Sequence, residues 1–258
     1  MAARNCLWKL LGSLLLTIGL IGNAAADSRA TRGQAVIRLD HSRSASRAFR
    51  DIGVTVLDSI PSTGLYLVSF PPEISFDRKR AALLRRPGVR EVHPNLSVRL
   101  VHPFQSNVNY PDDDAPLFVS GEEPASYYGQ PTVLSIGLDS AHPLSVGDGV
   151  TVAVIDNGID RTHPLFDSLP APLLYDLVDS DYDPGEVPGA VYGHGTFTAG
   201  LIRLAAPAAE LMIIRAFDST GAATVFTISQ AIYWAVAHGA DIINMSFGTT
   251  TNNGVLAL

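Results

Sequence analysis

The stretch "VTVAVIDNGID", residues 150–160, joins a short apolar run to a polar turn. Its first six residues are mostly β-branched, and an unbroken apolar run of this kind fits a strand buried on both faces of a sheet. The run ends at Asp156-Asn157-Gly158, a sequence typical of a tight turn. We therefore expect a central parallel strand whose carboxyl end presents Asp156.

The residues that follow alternate between strand and helix patterns. Further strands are predicted from "LMIIRAF", residues 211–217, and "DIINMSFG", residues 241–248; helices are predicted from "HGTFTAGLIRLAA", residues 194–206, and "TVFTISQAIYWAVAHG", residues 224–239. Strands separated by helices predict a parallel sheet covered on both sides. The fold class expected for residues 149–258 is therefore α/β, with a parallel sheet flanked by helices.

An earlier part of the chain, residues 27–102, has a different and denser pattern. Short β-rich runs and two helical runs follow one another in the order β-α-β-β-α-β, which predicts a small ferredoxin-like α+β unit. The runs are "QAVIRL" (34–39), "SRSASRAFRDIG" (42–53), "VTVLDSI" (54–60), "GLYLVSF" (64–70), "SFDRKRAALLRRPG" (75–88) and "VREVHPNLSVRL" (89–100). Residues 103–148 form a Pro- and Gly-rich connector to the second unit.

The first 26 residues are typical of a secretory signal peptide. A basic start precedes the apolar run "LLGSLLLTIGLIG", and "NAAA" supplies a cleavage site before Asp27. A transmembrane anchor is the alternative, but the run is short beside the roughly 20 residues that span a bilayer. The only cysteine, Cys6, lies inside this segment. The expected location is secreted or periplasmic, for a mature chain without disulfides.

Charge is distributed unevenly between the two units. Residues 27–102 carry 13 Arg and Lys against 7 Asp and Glu, a balance of +6, and residues 103–258 carry 3 against 18, a balance of −15. Either the two surfaces are simply solvated, or the basic unit docks on the acidic one, which the sequence favours. We expect no nucleic-acid partner for this acidic chain, and no membrane partner once the signal is removed.

His194 is the second residue that could carry chemistry. It lies between Gly193 and Gly195, which leave room for a backbone, a partner or a substrate close to the imidazole. An imidazole titrates near neutral pH and can transfer protons. Each of Asp156 and His194, taken alone, also fits a purely structural role.

A nucleotide-binding α/β domain is a competing interpretation of the same region. Gly147 and Gly149 stand near a predicted strand, but they precede it. Glycines that bind phosphate follow the strand and begin a helix. The pattern therefore argues against nucleotide binding.

Four stretches together, "VTVAVIDNGIDRTHPLF", "GHGTFTAGLI", "APAAELMIIRAFDSTG" and "AIYWAVAHGADIINMSFG", resemble the subtilisin-like serine proteases in order and spacing. The resemblance is close from Gly149 to Gly248, and the preceding unit resembles the inhibitory propeptide of these enzymes. It implies that Asp156 orients the imidazole of His194 and that His194 acts as general base and then general acid toward a serine. Asn157 departs from the Thr or Ser that the family usually has there.

The nucleophile that the resemblance implies is not found. No Gly-Thr-Ser-x-Ala run follows His194. Ser246 in "NMSFG" keeps the order Asp, His, Ser, but we reject it because the resemblance assigns Ser246, Phe247 and Gly248 to the wall of the substrate cleft. Ser219 and Ser229 lie in a turn and a helix without a supporting motif.

The oxyanion-binding asparagine of the family is also missing, because neither Asn252 nor Asn253 has the right context. From the residues present we expect a chain truncated before its nucleophile, with negligible peptide hydrolysis. No cofactor and no metal ligand is assigned with certainty. The loop "DLVDSDYDPGE", residues 176–186, offers oxygen ligands for a structural calcium ion, but its irregular spacing favours a solvated acidic loop.

The sequence thus predicts the precursor of a secreted serine endopeptidase that acts on proteins or peptides. Its units are a signal peptide (1–26), a propeptide (27–102) that binds within the same chain, a connector (103–148) and the amino-terminal part of a catalytic domain (149–258). We expect processing between Arg99 and Val108. The alternative is a non-catalytic peptide-binding protein that inhibits another protease through residues 27–102.

Overall fold

The computed structural model describes residues 30–40, 45–100, 133, 135–166 and 173–248. The predicted signal peptide and most of the connector lie outside these residues. Across the described ranges, no helix is long and apolar enough to cross a membrane.

The N-terminal unit, residues 30–100, has the predicted β-α-β-β-α-β order. Its elements are β1 (Ala30–Leu39), α1 (Ala45–Ala48), β2 (Thr55–Ile60), β3 (Leu65–Ser69), α2 (Phe76–Leu83) and β4 (Val89–Leu100). The strands form an antiparallel sheet in the order β4-β1-β3-β2, the arrangement of a ferredoxin-like unit. Ser75 caps α2 by accepting a hydrogen bond from the backbone N–H of Arg78.

Helix α1 is shorter than the sequence pattern predicts, because it ends at Ala48 and a turn follows. In that turn Asp51 has a φ of 56°, a left-handed conformation that stops a helix. The buried Lys79 donates to the carbonyl oxygens of Ile52 and Gly53 at 2.8 and 3.1 Å, and so holds the turn against α2. Basic side chains of this unit therefore stabilise its own backbone.

The second unit, hereafter the sheet unit (residues 133–248), is built on four parallel strands in the order β6-β7-β5-β9. These strands are β5 (Thr151–Asp156), β6 (Leu174–Asp176), β7 (Glu210–Arg215) and β9 (Ile242–Asn244). The helices are α3 (Leu138–Ala141), α4 (His194–Ala205) and α5 (Val225–Ala237). The predicted α/β class is confirmed.

Alternate residues of the central strands pack on opposite faces of this sheet. Ala153 and Ile155 of β5 lie in one apolar cluster with α5, whereas Val152 and Val154 lie in another with α4. Burial on both faces explains why the strand that opens the motif is apolar throughout. This packing on both faces also fixes the position of Asp156 at the end of β5.

The two units meet along a seam formed by β4 and two short strands, β8 (Ala222–Thr224) and β10 (Phe247–Gly248). The carboxyl end of β4 lies between them. Ser97 is opposite Thr224 on one side, and Leu100 is opposite Phe247 on the other, both in antiparallel register. The last residues of the N-terminal unit thus fill a strand position inside the sheet unit.

Apolar side chains dominate this seam. Val98 and Leu100 from β4 share one buried cluster with Val225 and Phe226 from α5. Each ion pair found among the described residues lies within one unit. The charge imbalance between the units is therefore not matched by ion pairs across the described part of the seam.

A few polar contacts fix the register of the seam. The buried Asn95 accepts a hydrogen bond at 3.2 Å from the N–H of Phe226, in the first turn of α5, and donates to Gln34 at 2.8 Å. Gln230, on the next turn of α5, donates to Asp58 of β2 at 2.8 Å. Asn95 thereby satisfies an N–H group that the helix itself leaves unpaired.

Candidate active site

Asp156 is the last residue of β5 and is fully buried. Its Oδ1 accepts a hydrogen bond of 2.8 Å from the backbone N–H of Asn157. The apolar residues of the strand fix the backbone, and the turn that follows directs the carboxylate toward the next helix. Asp156 therefore lies at the carboxyl end of a parallel strand, where functional groups of α/β sheets collect.

His194 is the first residue of α4 and is 6% exposed. The preceding residue, Gly193, has a φ of 87°, which a residue with a side chain adopts only with strain. This conformation lets the chain turn abruptly into the helix. The imidazole is thereby held at the rigid end of a helix rather than on a loop.

The structure brings the two residues together. His194 Nδ1 lies 2.8 Å from Oδ1 and 3.0 Å from Oδ2 of Asp156. A carboxylate only accepts hydrogen bonds, so Nδ1 carries the proton and donates it. In the neutral ring Nε2 is then the nitrogen that can accept a proton, as a general base requires.

Gly195 allows the two elements to approach this closely. A Cβ at Gly195 would lie 1.9 Å from the carbonyl oxygen of Gly158, in the turn after Asp156. No side chain fits that space. The glycine after His194 therefore makes room for backbone, one of the purposes predicted for it.

The three residues expected to line the substrate cleft lie at the seam. Phe247 and Gly248 form β10 and pair with Leu100 and Arg99 of β4. Ser246 precedes them, and its Oγ accepts a hydrogen bond of 2.9 Å from Asn244. β10 thus already pairs with an extended segment of the same chain, in the manner of β-strand addition.

The acidic loop after β6 directs its carboxylates to protein groups. Asp176 and Asp179 each accept from Arg215 at 2.6 Å, and Asp183 pairs with Arg161 at 3.3 Å. Within the described ranges, no group of three or more acidic, histidine or cysteine side chains is arranged to hold a metal ion. The carboxylates of Asp176, Asp179 and Asp183 are thus each paired with an arginine.

Two residues near the site were missed or underrated in the sequence. Glu186 accepts hydrogen bonds from the N–H groups of Gly193 and Thr196 at 2.9 and 3.0 Å. Asn157, which the sequence marks only as a departure, accepts from the N–H of Gly195 in α4 and donates to the carbonyl oxygen of Val191 in the turn before that helix. Gly193 is the feature of the sequence that could have indicated these contacts. A helix that begins after glycine has no side-chain cap of its own, so another segment must supply one.

Comparison with known proteins agrees with this architecture. Residues 147–256 match the profile of the Subtilase family, and residues 22–95 match the Fervidolysin N-terminal prodomain. The Minor extracellular protease Vpr of Bacillus subtilis (strain 168) is 34% identical over 183 residues, which cover 66% of this chain and 22% of Vpr. The Thermophilic serine proteinase of Bacillus sp. (strain AK1) is 38% identical over 122 residues, or 42% of this chain and 29% of that protein.

Among solved structures, fervidolysin from Fervidobacterium pennivorans, a keratinolytic enzyme related to subtilisin, superposes with a TM-score of 0.58. The match has 21% sequence identity and covers 88% of this chain and 37% of fervidolysin, so it supports the fold alone. The chain spans well under half the length of these relatives.

The parallel sheet, with an Asp at a strand end paired to a His at a helix start, is the arrangement that the resemblance to subtilisin-like proteases implies. Residues 147–256 belong to the subtilase family, and a prodomain of the fervidolysin type precedes them.

Proposed function

We propose that this chain carries the prodomain and the Asp-His part of the active site of a secreted serine endopeptidase. The observation that carries the proposal is the contact of 2.8 Å between His194 Nδ1 and Asp156 Oδ1, at the junction of a strand end and a helix start. The family match supports the reaction class, and this geometry supports the choice of Asp156 and His194.

In the proposed reaction His194 Nε2 removes the proton from a serine hydroxyl as that oxygen attacks the peptide carbonyl. Asp156 stabilises the imidazolium and keeps Nδ1 protonated. His194 then donates the proton to the leaving amine. Because no Gly-Thr-Ser-x-Ala run follows His194 in the 258 residues, we expect these residues by themselves to hydrolyse peptides negligibly.

Ser246, Phe247 and Gly248 are proposed to bind the substrate backbone in extended form. Support comes from β4, whose residues Arg99 and Leu100 pair with this segment. In the precursor the end of the prodomain then occupies the place of substrate, so the prodomain inhibits until the chain is cut. Pairing through Leu100 supports a cut on the carboxyl side of that residue, inside the interval expected between Arg99 and Val108.

Secretion is proposed from the sequence of residues 1–26, with removal before Asp27. Residues 27–258 contain no cysteine, so this part of the protein forms no disulfide outside the cell.

The test is to express the complete coding region of this protein and measure hydrolysis of casein. We expect the parent to cleave casein and His194→Ala to lose activity by about 10⁴-fold or more. His238→Ala is the matched control: this exposed histidine stacks on Trp234 at the far end of α5 and should leave activity unchanged. Full activity of His194→Ala would refute the proposal.

A second candidate function is inhibition of another protease by the N-terminal unit. The apolar face of β4, with Val98 and Leu100 buried in the seam, favours it, because such a face could bind a related enzyme. Residues 27–102 would be expressed alone and tested against an intact subtilase. Lack of inhibition at micromolar concentration would count against this candidate.

A further inference from the structure

The backbone N–H groups at the start of α4 are all paired, although the helix provides no cap of its own. The N–H of Gly193 and that of Thr196 donate to the two oxygens of Glu186, at 2.9 and 3.0 Å. The N–H of Gly195 donates to Asn157 Oδ1 at 2.9 Å. The N–H of His194 itself donates to the carbonyl oxygen of Val191 at 3.1 Å.

Glu186 holds the residues on both sides of His194. Its side chain is partly buried, and its negative charge lies at the positive end of the helix dipole. Its own backbone is fixed as well, because its N–H donates to the carbonyl oxygen of Ile159 at 3.2 Å. The carboxylate therefore ties the histidine helix to the turn that follows Asp156.

Asn157 also connects the start of α4 to the turn after Asp156, and it does so from the end of β5. It directly follows Asp156 and is 2% exposed. Its Oδ1 binds Gly195, and its Nδ2 donates to the carbonyl oxygen of Val191 at 2.8 Å. The residue that departs from the usual Thr or Ser thus bridges the aspartate strand to both ends of the Val191–Gly195 turn.

We propose that Asn157 and Glu186 are positioning residues that together fix the ring of His194 against Asp156. Each contacts N–H groups within two residues of His194, and each is anchored to the turn after Asp156. Their effect on catalysis rests on the proposed protease function. Their effect on the geometry of the Asp156–His194 pair is independent of that function.

The first experiment observes the His194 ring in the 258-residue chain by ¹H NMR. The Nδ1 proton donated to Asp156 should give a far-downfield resonance, to be assigned by its loss in His194→Ala. We expect Glu186→Ala and Asn157→Ala to broaden this signal or abolish it. Glu186→Gln, which retains one acceptor oxygen, should weaken it less than Glu186→Ala does.

Asp181→Ala is the matched control. It removes a carboxylate from the same loop, one that caps only the N–H of Asp183, and it leaves α4 untouched. The control should keep the downfield signal. An unchanged signal in both folded Glu186→Ala and folded Glu186→Gln would overturn the assignment of Glu186, and the same result for Asn157→Ala would overturn that of Asn157.

The second experiment measures kinetics on the protein expressed from its complete coding region. We expect Glu186→Ala to lower kcat by about 10- to 100-fold with little change in KM, since small displacements of a catalytic group have effects of this size. If Glu186→Ala loses the downfield signal but keeps the kcat of the parent, Glu186 has no effect on catalysis. If the parent itself cleaves nothing, the proposed function fails, and the NMR result still decides the positioning role.

Discussion

The Asp156–His194 site and the seam between the two units are held by different kinds of contact. At the site, buried polar groups are joined by directional hydrogen bonds that fix the orientation of each side chain. Asn157, between α4 and β5, is an example. At the seam, apolar side chains such as Val98 and Phe226 pack in one cluster, and backbone pairing sets the register.

The difference fits the roles proposed for the two regions. Proton transfer needs atoms at fixed distances, and directional hydrogen bonds provide this. A prodomain that has to be released needs a surface that binds without buried charges. Apolar burial contributes about 25 cal/mol per Å² and imposes no such directionality.

The largest effect should come from Asp156→Asn. The amide keeps the shape of the side chain but can present an N–H to the ring, which disfavours the tautomer with a proton on Nδ1. We expect casein hydrolysis by the secreted enzyme to fall by about 10⁴-fold with little change in the unfolding midpoint. Wild-type activity in this variant would mean that the 2.8 Å contact has no catalytic role.

Arg215→Ala should produce the next largest effect, on stability. It leaves Asp176 as a fully buried carboxylate without its partner, and such losses cost about 3–5 kcal/mol. Arg161→Ala breaks an exposed pair with Asp183 and should cost about 1 kcal/mol or less. Chemical denaturation measures both, and equal costs would contradict the burial of the Arg215 cluster.

Val98→Asp should weaken the seam. Val98 is 1% exposed and lies in the shared cluster, so an aspartate there is buried without a partner. We expect inhibition by residues 27–102 added in trans to weaken by about 100-fold, or roughly 2.7 kcal/mol. Val56→Asp is the control, because Val56 lies 43% exposed on β2, the outer strand of the same unit. Equal loss in the two variants would place the docking surface elsewhere.

Glu186 should give a smaller, pH-dependent effect on stability. Burial raises the pKa of Glu186 above 4.5, although hydrogen bonds from Thr196 and Gly193 oppose the shift. The folded chain then holds this proton more tightly than the unfolded chain does. The resulting stabilisation is full below about pH 4.5 and is lost as pH rises through the raised pKa.

Glu186→Gln removes this titration. The wild-type unfolding free energy should therefore decline relative to that of the variant as pH increases from about 4 to 7. Calorimetry at several pH values measures the difference. A difference that stays constant or changes in the opposite sense would be inconsistent with a raised pKa for Glu186.

Salt should have the smallest effect. The sequence favours docking through opposite charge, but in the described residues the ion pairs lie within the units. Arg99 does reach across the seam, but it donates to a neutral group, the carbonyl oxygen of Thr220, at 3.4 Å. We expect affinity in trans to change by no more than about threefold between 0.1 and 1 M salt. A steep loss would restore the electrostatic interpretation.

Local sequence patterns were sufficient to predict most of the fold. The apolar run before Asp156 and the alternation of strands and helices predicted the parallel sheet, because burial on two faces leaves a clear pattern. The N-terminal unit was likewise predicted from its six runs. The length of α1 was wrong, because the left-handed residue Asp51 has no distinctive signal in the sequence.

Contacts between distant segments were harder to predict. Asp156 and His194 were noticed because each ends or begins a recognisable element, and the resemblance to subtilisin-like proteases is what joined them as a pair. Glu186 lies in a loop eight residues before His194, and nothing in local spacing indicates that its side chain turns back to α4. The insertion of β4 between β8 and β10 depends on pairing across more than a hundred residues, which no periodicity encodes.

The central claim is that β4 presents the end of the prodomain to the Asp156–His194 pair. Mass spectrometry of the secreted protein, expressed from its complete coding region, tests this most directly. We predict a new amino terminus within residues 101–108 in the parent and none in His194→Ala. A terminus before Ser97, or processing by the chain itself that persists without His194, would contradict the account.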